Sequence, residues 1–235
     1  MVFRKPKKTL KTDADISKES MNDYFERAQP GHVFAVTDFV RFGSYGFDHI
    51  ARTKIMFKNL EKQNRVFKLA PDVYAKLDPK NPESTKQPSL DEFARAFART
   101  GYRIAYPSSL EALYIVGISQ KPEKCIYLAS GKVSDIEYMG RTIHYEVRTN
   151  TDLDMCKNIT QTICQVFNGL GWEHVKQREV VQIASILTPK EYEQFKEDLQ
   201  YAPETILKVG NRILKAYDHL KEGKYDDVEL NARGD

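Results

Sequence analysis

The sequence predicts an α+β protein in two parts: a small N-terminal domain of helices with a hairpin, then a larger mixed domain that ends in helices. Three observations predict it. Among 235 residues, 41% are hydrophobic and 29% charged, a core-forming balance that excludes a wholly disordered chain. The charge is uneven. Residues 1–76 carry 15 Lys or Arg against 9 Asp or Glu, a net of +6, while the rest carries 21 against 24, a net of −3. Such a split suggests a front end that binds a polyanion and a neutral or acidic body. Finally, the periodicity changes. Helical spacing and a turn-linked strand pair fill the first third, short strands and helices alternate in the middle, and helices close the chain.

Residues 1–14 begin with the basic run MVFRKPKKTLKT and read as a flexible arm. Glu19 to Arg27 has Met21, Tyr24 and Phe25 at helical spacing. His32–Val36 is a short apolar strand, and Thr37 is placed to cap a short helix over Asp38–Phe42. The turn Gly43-Ser44-Tyr45-Gly46 leads into a helix over Phe47–Gln63. There Ile50, Thr53, Phe57 and Leu60 fall on one face. The opposite face carries Asp48, Arg52, Ile55, Asn59 and Lys62, flanked by Ala51 and Lys58. Val66–Leu69, a Pro71-Asp72 turn and Val73–Ala75 form a hairpin.

Helix, strand, helix, helix, hairpin within 15–78 is the order of a winged helix-turn-helix domain. Its second long helix suits the major groove, and its wing reaches phosphates or the minor groove. From Arg41 to Lys68 seven Lys or Arg face two acids, enough to neutralise several phosphates and release their counterions.

Residues 79–87, rich in Pro, Lys and polar side chains, read as a linker. Ser89 and Glu92 form a capping-box pattern for Leu90–Arg99. Tyr102–Ala105 is predicted as a strand. Ser108 or Ser109 caps a helix through Ile115, ended by Gly117. Cys125–Leu128, Ser134–Tyr138 and Thr142–Arg148 are predicted strands, the last two joined at Met139-Gly140. Helices are expected over Met155–Asn168, Trp172–Leu187, Pro189–Leu199 and Pro203–Leu220, completing a domain of 88–220. The tail 221–235 is polar and expected to be disordered, and its closing Arg-Gly-Asp reads as chance.

No apolar run approaches the length of a membrane span, and the charged start lacks the apolar core of a secretory signal. Cys125, Cys156 and Cys164 form no CxxC pair, which points to free thiols in a reducing compartment. His32, His49, His144, His174 and His219 show no metal-binding spacing. No metal or cofactor is implied.

The candidate DNA-binding residues are Ser44, Tyr45, Arg52, Lys54, Ile55, Lys58, Asn59, Lys62, Lys68 and Lys76. Ser44 caps the helix or touches a phosphate, with Tyr45 beside it. Arg52 matches a guanine edge, Asn59 an adenine edge, and Ile55 a thymine methyl. Lys54, Lys58 and Lys62 suit phosphates, as do Lys68 and Lys76 from the wing. The competing readings are a solvated helix face for the cations, a helix–helix contact for Ile55, and strand-edge lysines for Lys68 and Lys76. Arg4, Lys5, Lys7, Lys8 and Lys11 form either a groove-seeking arm or a solubilising tail. Tyr102, Tyr106, Tyr114, Tyr127 and Tyr138 read as core or rim aromatics.

From about Glu26 to Leu214 the chain resembles the AbiEi-like family, antitoxins of type IV abortive-infection toxin–antitoxin systems. The likeness rests on the Leu60-to-Leu69 helix–strand step, Val73-Tyr74, Pro88-Ser89-Leu90, Ile104–Pro107, Ala112-Leu113 and Gly117–Ser119. Ile126–Leu128, Gly131, Gly140–Ile143 and Tyr145 extend it. The chain departs from the family at Pro107-Ser108-Ser109, where Pro-Thr-Gly is common, and at Pro71-Asp72, where Arg-Gly is common.

The resemblance implies a cytoplasmic, bacterial, non-enzymatic autorepressor that binds double-stranded DNA at its own promoter. It also implies a C-terminal domain that opposes a nucleotidyltransferase-like toxin without binding it directly. The alternative from the residues is a protein-interaction module that sequesters a toxin or another partner. A nucleotidyltransferase is the weaker third reading. The Gly43–Gly46 turn resembles that of such enzymes, but no Asp-x-Asp follows it at the distance Mg²⁺ binding needs.

Overall fold

A computed structural model describes residues 21–42 and 47–223. The basic arm, most of the tail, and Ser44 and Tyr45 lie outside the described residues. The chain is α+β, as the sequence predicts, with helices α1 Met21–Arg27, α2 Phe47–Lys62, α3 Leu90–Thr100, α4 Ser109–Ile115, α5 Asn158–Leu170, α6 Gln177–Ile186, α7 Pro189–Leu199 and α8 Glu204–Lys221. The strands are β1 Val33–Ala35, β2 Val66–Ala70, β3 Val73–Lys76, β4 Ala105–Pro107, β5 Cys125–Ala129, β6 Ile136–Tyr138 and β7 Arg141–Val147. Among the described residues no helix is long and apolar enough to cross a membrane.

Two compact units divide the described chain. One holds 21–42, 47–105 and 129–147, and the other holds 106–128 and 148–223. The 79–87 stretch, which reads as a linker, lies inside the first unit. So do α3 and the β6–β7 hairpin.

The first unit begins with the expected element order, with a 3₁₀ helix over Val36–Phe42 in place of the short α-helix. The expected hairpin is part of a three-stranded antiparallel sheet of order β1-β3-β2. Val33 stands opposite Ala75 on one side of β3, and Val66 opposite Lys76 on the other. The register shifts between Lys68 and Ala70, an irregularity that fits one extra residue beside the turn. Phe25, Phe34, Phe39, Phe57 and Tyr74 fill the core, and Phe57 stacks on Tyr74 at 4.5 Å. The apolar face expected on α2 is the face that is buried, with Thr53 and Phe57 fully covered and Leu60 nearly so. Truncating a ring like Phe57 in such a core costs about 3–5 kcal/mol.

α3 is capped as the sequence predicts. The Ser89 hydroxyl accepts from the Glu92 N–H, and the Glu92 carboxylate accepts from the Ser89 N–H. Arg99 near its end donates to both carboxylate oxygens of Asp38, at 2.7 and 3.1 Å, and to the Val33 carbonyl at 3.2 Å. Asp38 also accepts the Ala35 N–H at 2.9 Å. Thr37, expected as a helix cap, donates to the Arg99 carbonyl instead. On its other flank α3 meets the hairpin: Phe93 stacks on Tyr138 at 4.0 Å, and Tyr145 donates to the Ala94 carbonyl at 2.8 Å. That hairpin turns through Met139 and Gly140, both at positive φ, the geometry of a two-residue turn.

Tyr102, predicted in a strand, sits at φ +58° because Gly101–Arg103 fold back onto the carbonyls of Ala98 and Arg99. The strand therefore starts at Ala105.

The second unit holds all but the first residue of β4 and all but the last of β5, which are neighbours, and its helices α4–α8 close around Ile163, Phe167, Val180, Ile183, Phe195 and Ile213. The predicted Trp172–Leu187 helix is split. A 3₁₀ turn spans Trp172–His174, Val175 is extended, and α6 starts at Gln177. The Asp198 carboxylate of α7 accepts the Lys157 N–H at 2.6 Å, satisfying a donor at the entry to α5. Cys125, Cys156 and Cys164 are buried and form no disulfide with one another.

Asp38→Ala removes the acceptor for three N–H donors at once. It should lower unfolding stability by about 2–3 kcal/mol, read by urea denaturation, with Asp38→Asn intermediate.

Candidate nucleic-acid interface

The site is built on α2. Burial of Thr53, Phe57 and Leu60 turns the opposite face outward. Arg52, Lys58, Asn59 and Lys62 are exposed there, and Ile55 is 58% exposed at the middle of the row. That exposure is high for an isoleucine on a helix whose opposite face is buried. Lys68 is exposed on β2, the edge strand next to α2. Arg52, Lys58, Lys62 and Lys68 make no ion pair with any described residue.

Two other predicted cations are already engaged. Lys54 is half-exposed, and its ammonium lies 2.8 Å from the Asp72 carboxylate. Asp72 sits at φ +60° in the turn between β2 and β3, so this pair ties α2 to the hairpin.

Lys76, expected as a phosphate contact, is a correction. It is buried, and its ammonium donates to the carbonyls of Phe25, Glu26 and Ala28 at 2.8–2.9 Å. It also lies 4.8 Å from the centre of the Phe25 ring. All three donors are used on the C-terminal end of α1, where a cation complements the helix dipole. Burial lowers the Lys76 pKa from the usual ammonium value, opposed in part by Glu26. Burial likewise raises the Tyr74 hydroxyl, helped by Glu61 and Asp72.

The structure adds residues that the sequence reading misses. α1 and α2 enclose an open groove of about 470 Å³, lined by Arg52, Ile55, Asn59, Gln63, Glu26 and Arg65 among others. Glu26 and Arg65 pair across it at 2.6 Å, 39 residues apart in the chain. No local spacing signals that pair.

Elsewhere the predicted aromatics divide. Tyr106, Tyr127 and Tyr138 are buried, while Tyr102 and Tyr114 are exposed. In the second unit Asp154 is paired with Arg148, which lies 4.8 Å from the centre of the Tyr106 ring. Burial raises the Asp154 carboxyl, and Arg148 opposes that rise. Among the described residues no group of three or more His, Cys, Asp or Glu is placed to hold a metal.

Fold and site thus define an α+β chain in which α2 exposes Arg52, Lys58 and Lys62 beside an antiparallel hairpin. The chain belongs to a family of unknown function, DUF6088, which it matches over residues 20–195. It matches no curated protein and no solved structure.

Lys76→Met, which keeps the volume but strips three carbonyls of their donor, should destabilise the protein by about 2–4 kcal/mol in urea denaturation. Lys68→Ala, on the exposed edge, should stay within about 0.5 kcal/mol of the parent.

Proposed function

We propose that this chain is a transcription regulator that binds double-stranded DNA through α2 and the β2–β3 hairpin, a winged helix-turn-helix in role. One observation carries the reading: a single face of α2 leaves Arg52, Ile55, Lys58, Asn59 and Lys62 exposed while the other face is locked into the core. An α-helix with such a face fits the major groove, about 12 Å wide. Arg52 and Asn59 have the side chains that pair in bidentate fashion with guanine and adenine, and Ile55 suits a thymine methyl. Lys58 and Lys62 supply phosphate contacts from the helix, and Lys68 supplies one from the hairpin.

Resemblance to the AbiEi-like antitoxins extends the proposal. On that reading the DNA is the protein's own promoter, binding represses it, and residues beyond the hairpin oppose a nucleotidyltransferase-like toxin. Catalysis plays no part in this role.

The test is an anisotropy titration of the full chain with duplex DNA from upstream of its gene, over a salt series. Specific, salt-sensitive binding is expected. Lys58→Ala with Lys62→Ala should weaken binding to every sequence and lower the salt slope by about two. Arg52→Ala should cost about 1–3 kcal/mol on the preferred site and relax selectivity at one base pair. Binding that ignores both changes, or no binding at all, overturns the proposal.

A further inference from the structure

We propose that the Glu26–Arg65 pair is a selectivity device: it withholds a cation from the DNA backbone and sets a carboxylate against phosphate beside the base-reading row. This rests on the assignment of α2 as the DNA-docking helix. Arg52, Ile55 and Asn59 line the α1–α2 groove, and Glu26 and Arg65 line the same groove. Both side chains of the pair reach solvent, at 53% and 32% exposure.

Arg65 would otherwise be a second arginine in the groove able to hold a phosphate. A guanidinium presents paired donors that match phosphate oxygens. Here one of its terminal nitrogens is spent on Glu26 at 2.6 Å. A second contact also holds it there: the guanidinium lies 5.1 Å from the centre of the Phe25 ring, and the Arg65 backbone N–H, donating to the Leu60 carbonyl, fixes the main chain that carries it. Neutralising Glu26 therefore frees a positioned cation.

Glu26 acts in a second way. A carboxylate repels phosphates but accepts from the amino groups that base edges present in the major groove, the cytosine amine above all. Both effects act in one direction. They cost affinity for any duplex and penalise a duplex without a base donor at that place, so discrimination rises while raw affinity falls.

The experiment uses the full chain and two probes: a duplex enriched from a randomised pool by the wild-type protein, and a duplex of the same composition in scrambled order. Glu26→Gln should bind the scrambled duplex about fivefold more tightly. Its salt slope on that probe should steepen by about one. The ratio of selected to scrambled affinity should fall. Glu26→Gln combined with Arg65→Gln should return the scrambled affinity and slope to wild-type values, and thermal melting of each variant checks the fold.

If Glu26→Gln leaves the scrambled affinity and slope unchanged, or weakens both probes alike, the proposal is overturned. A wild-type protein that enriches no sequence and binds no duplex overturns the DNA reading itself. That result is visible before any variant is made.

Discussion

A buried ammonium organises the N-terminal unit. Lys76 ends the central strand of the β1-β3-β2 sheet and reaches into the last turn of α1, where three carbonyls receive it. Helix ends leave carbonyls without intrahelical partners, and a short helix such as α1 has few bonds of its own to hold it. The lysine meets both needs. The backbone reinforces it: the Gly31 N–H donates to the Lys76 carbonyl at 2.8 Å, with Gly31 at φ +85°, and the Lys76 N–H donates to His32. Because α1 is fixed, Phe25 is fixed, and α2 lies against the aromatic cluster with one face committed to the core. The exposed cationic face follows from that commitment.

A second polar tie extends the same body. Arg99 and Asp38 join α3 to β1 and the 3₁₀ helix, while Tyr138 and Tyr145 bring the β6–β7 hairpin onto α3. Asp38 is well covered and Arg99 one-third exposed, so their bond is shielded from solvent more than a surface pair is. The N-terminal unit is therefore larger than a helix-and-wing module. It includes a helix whose capping box reads as the start of a second domain.

What the sequence shows and hides follows from how local each signal is. Capping boxes are local, and Ser89 with Glu92 announces α3. The apolar spacing of α2 is local too, and both its buried and its exposed faces are legible. Lys76 is not. Lys68 and Lys76 look alike as strand lysines, but β2 is an edge strand and β3 is flanked on both sides. All four residues of β3 are consequently buried, so alternation fails. The missing fact is the β1–β3 pairing, set by contacts about 40 residues apart. Glu26–Arg65 and Arg99–Asp38 are hidden for the same reason. Tyr102 shows the converse error: aromatic, strand-favouring residues after a helix are overridden by a helix end that folds back on itself.

In the proposed role the outward face of α2 and the edge of the β2–β3 hairpin meet DNA. The most direct measurement is a backbone amide NMR titration of the full chain with a duplex it binds. The largest shifts should fall on Arg52, Ile55, Lys58, Asn59, Lys62 and Lys68, with Phe57 and Lys76 little changed. Shifts centred on α5–α8, or spread evenly over the chain, would contradict it.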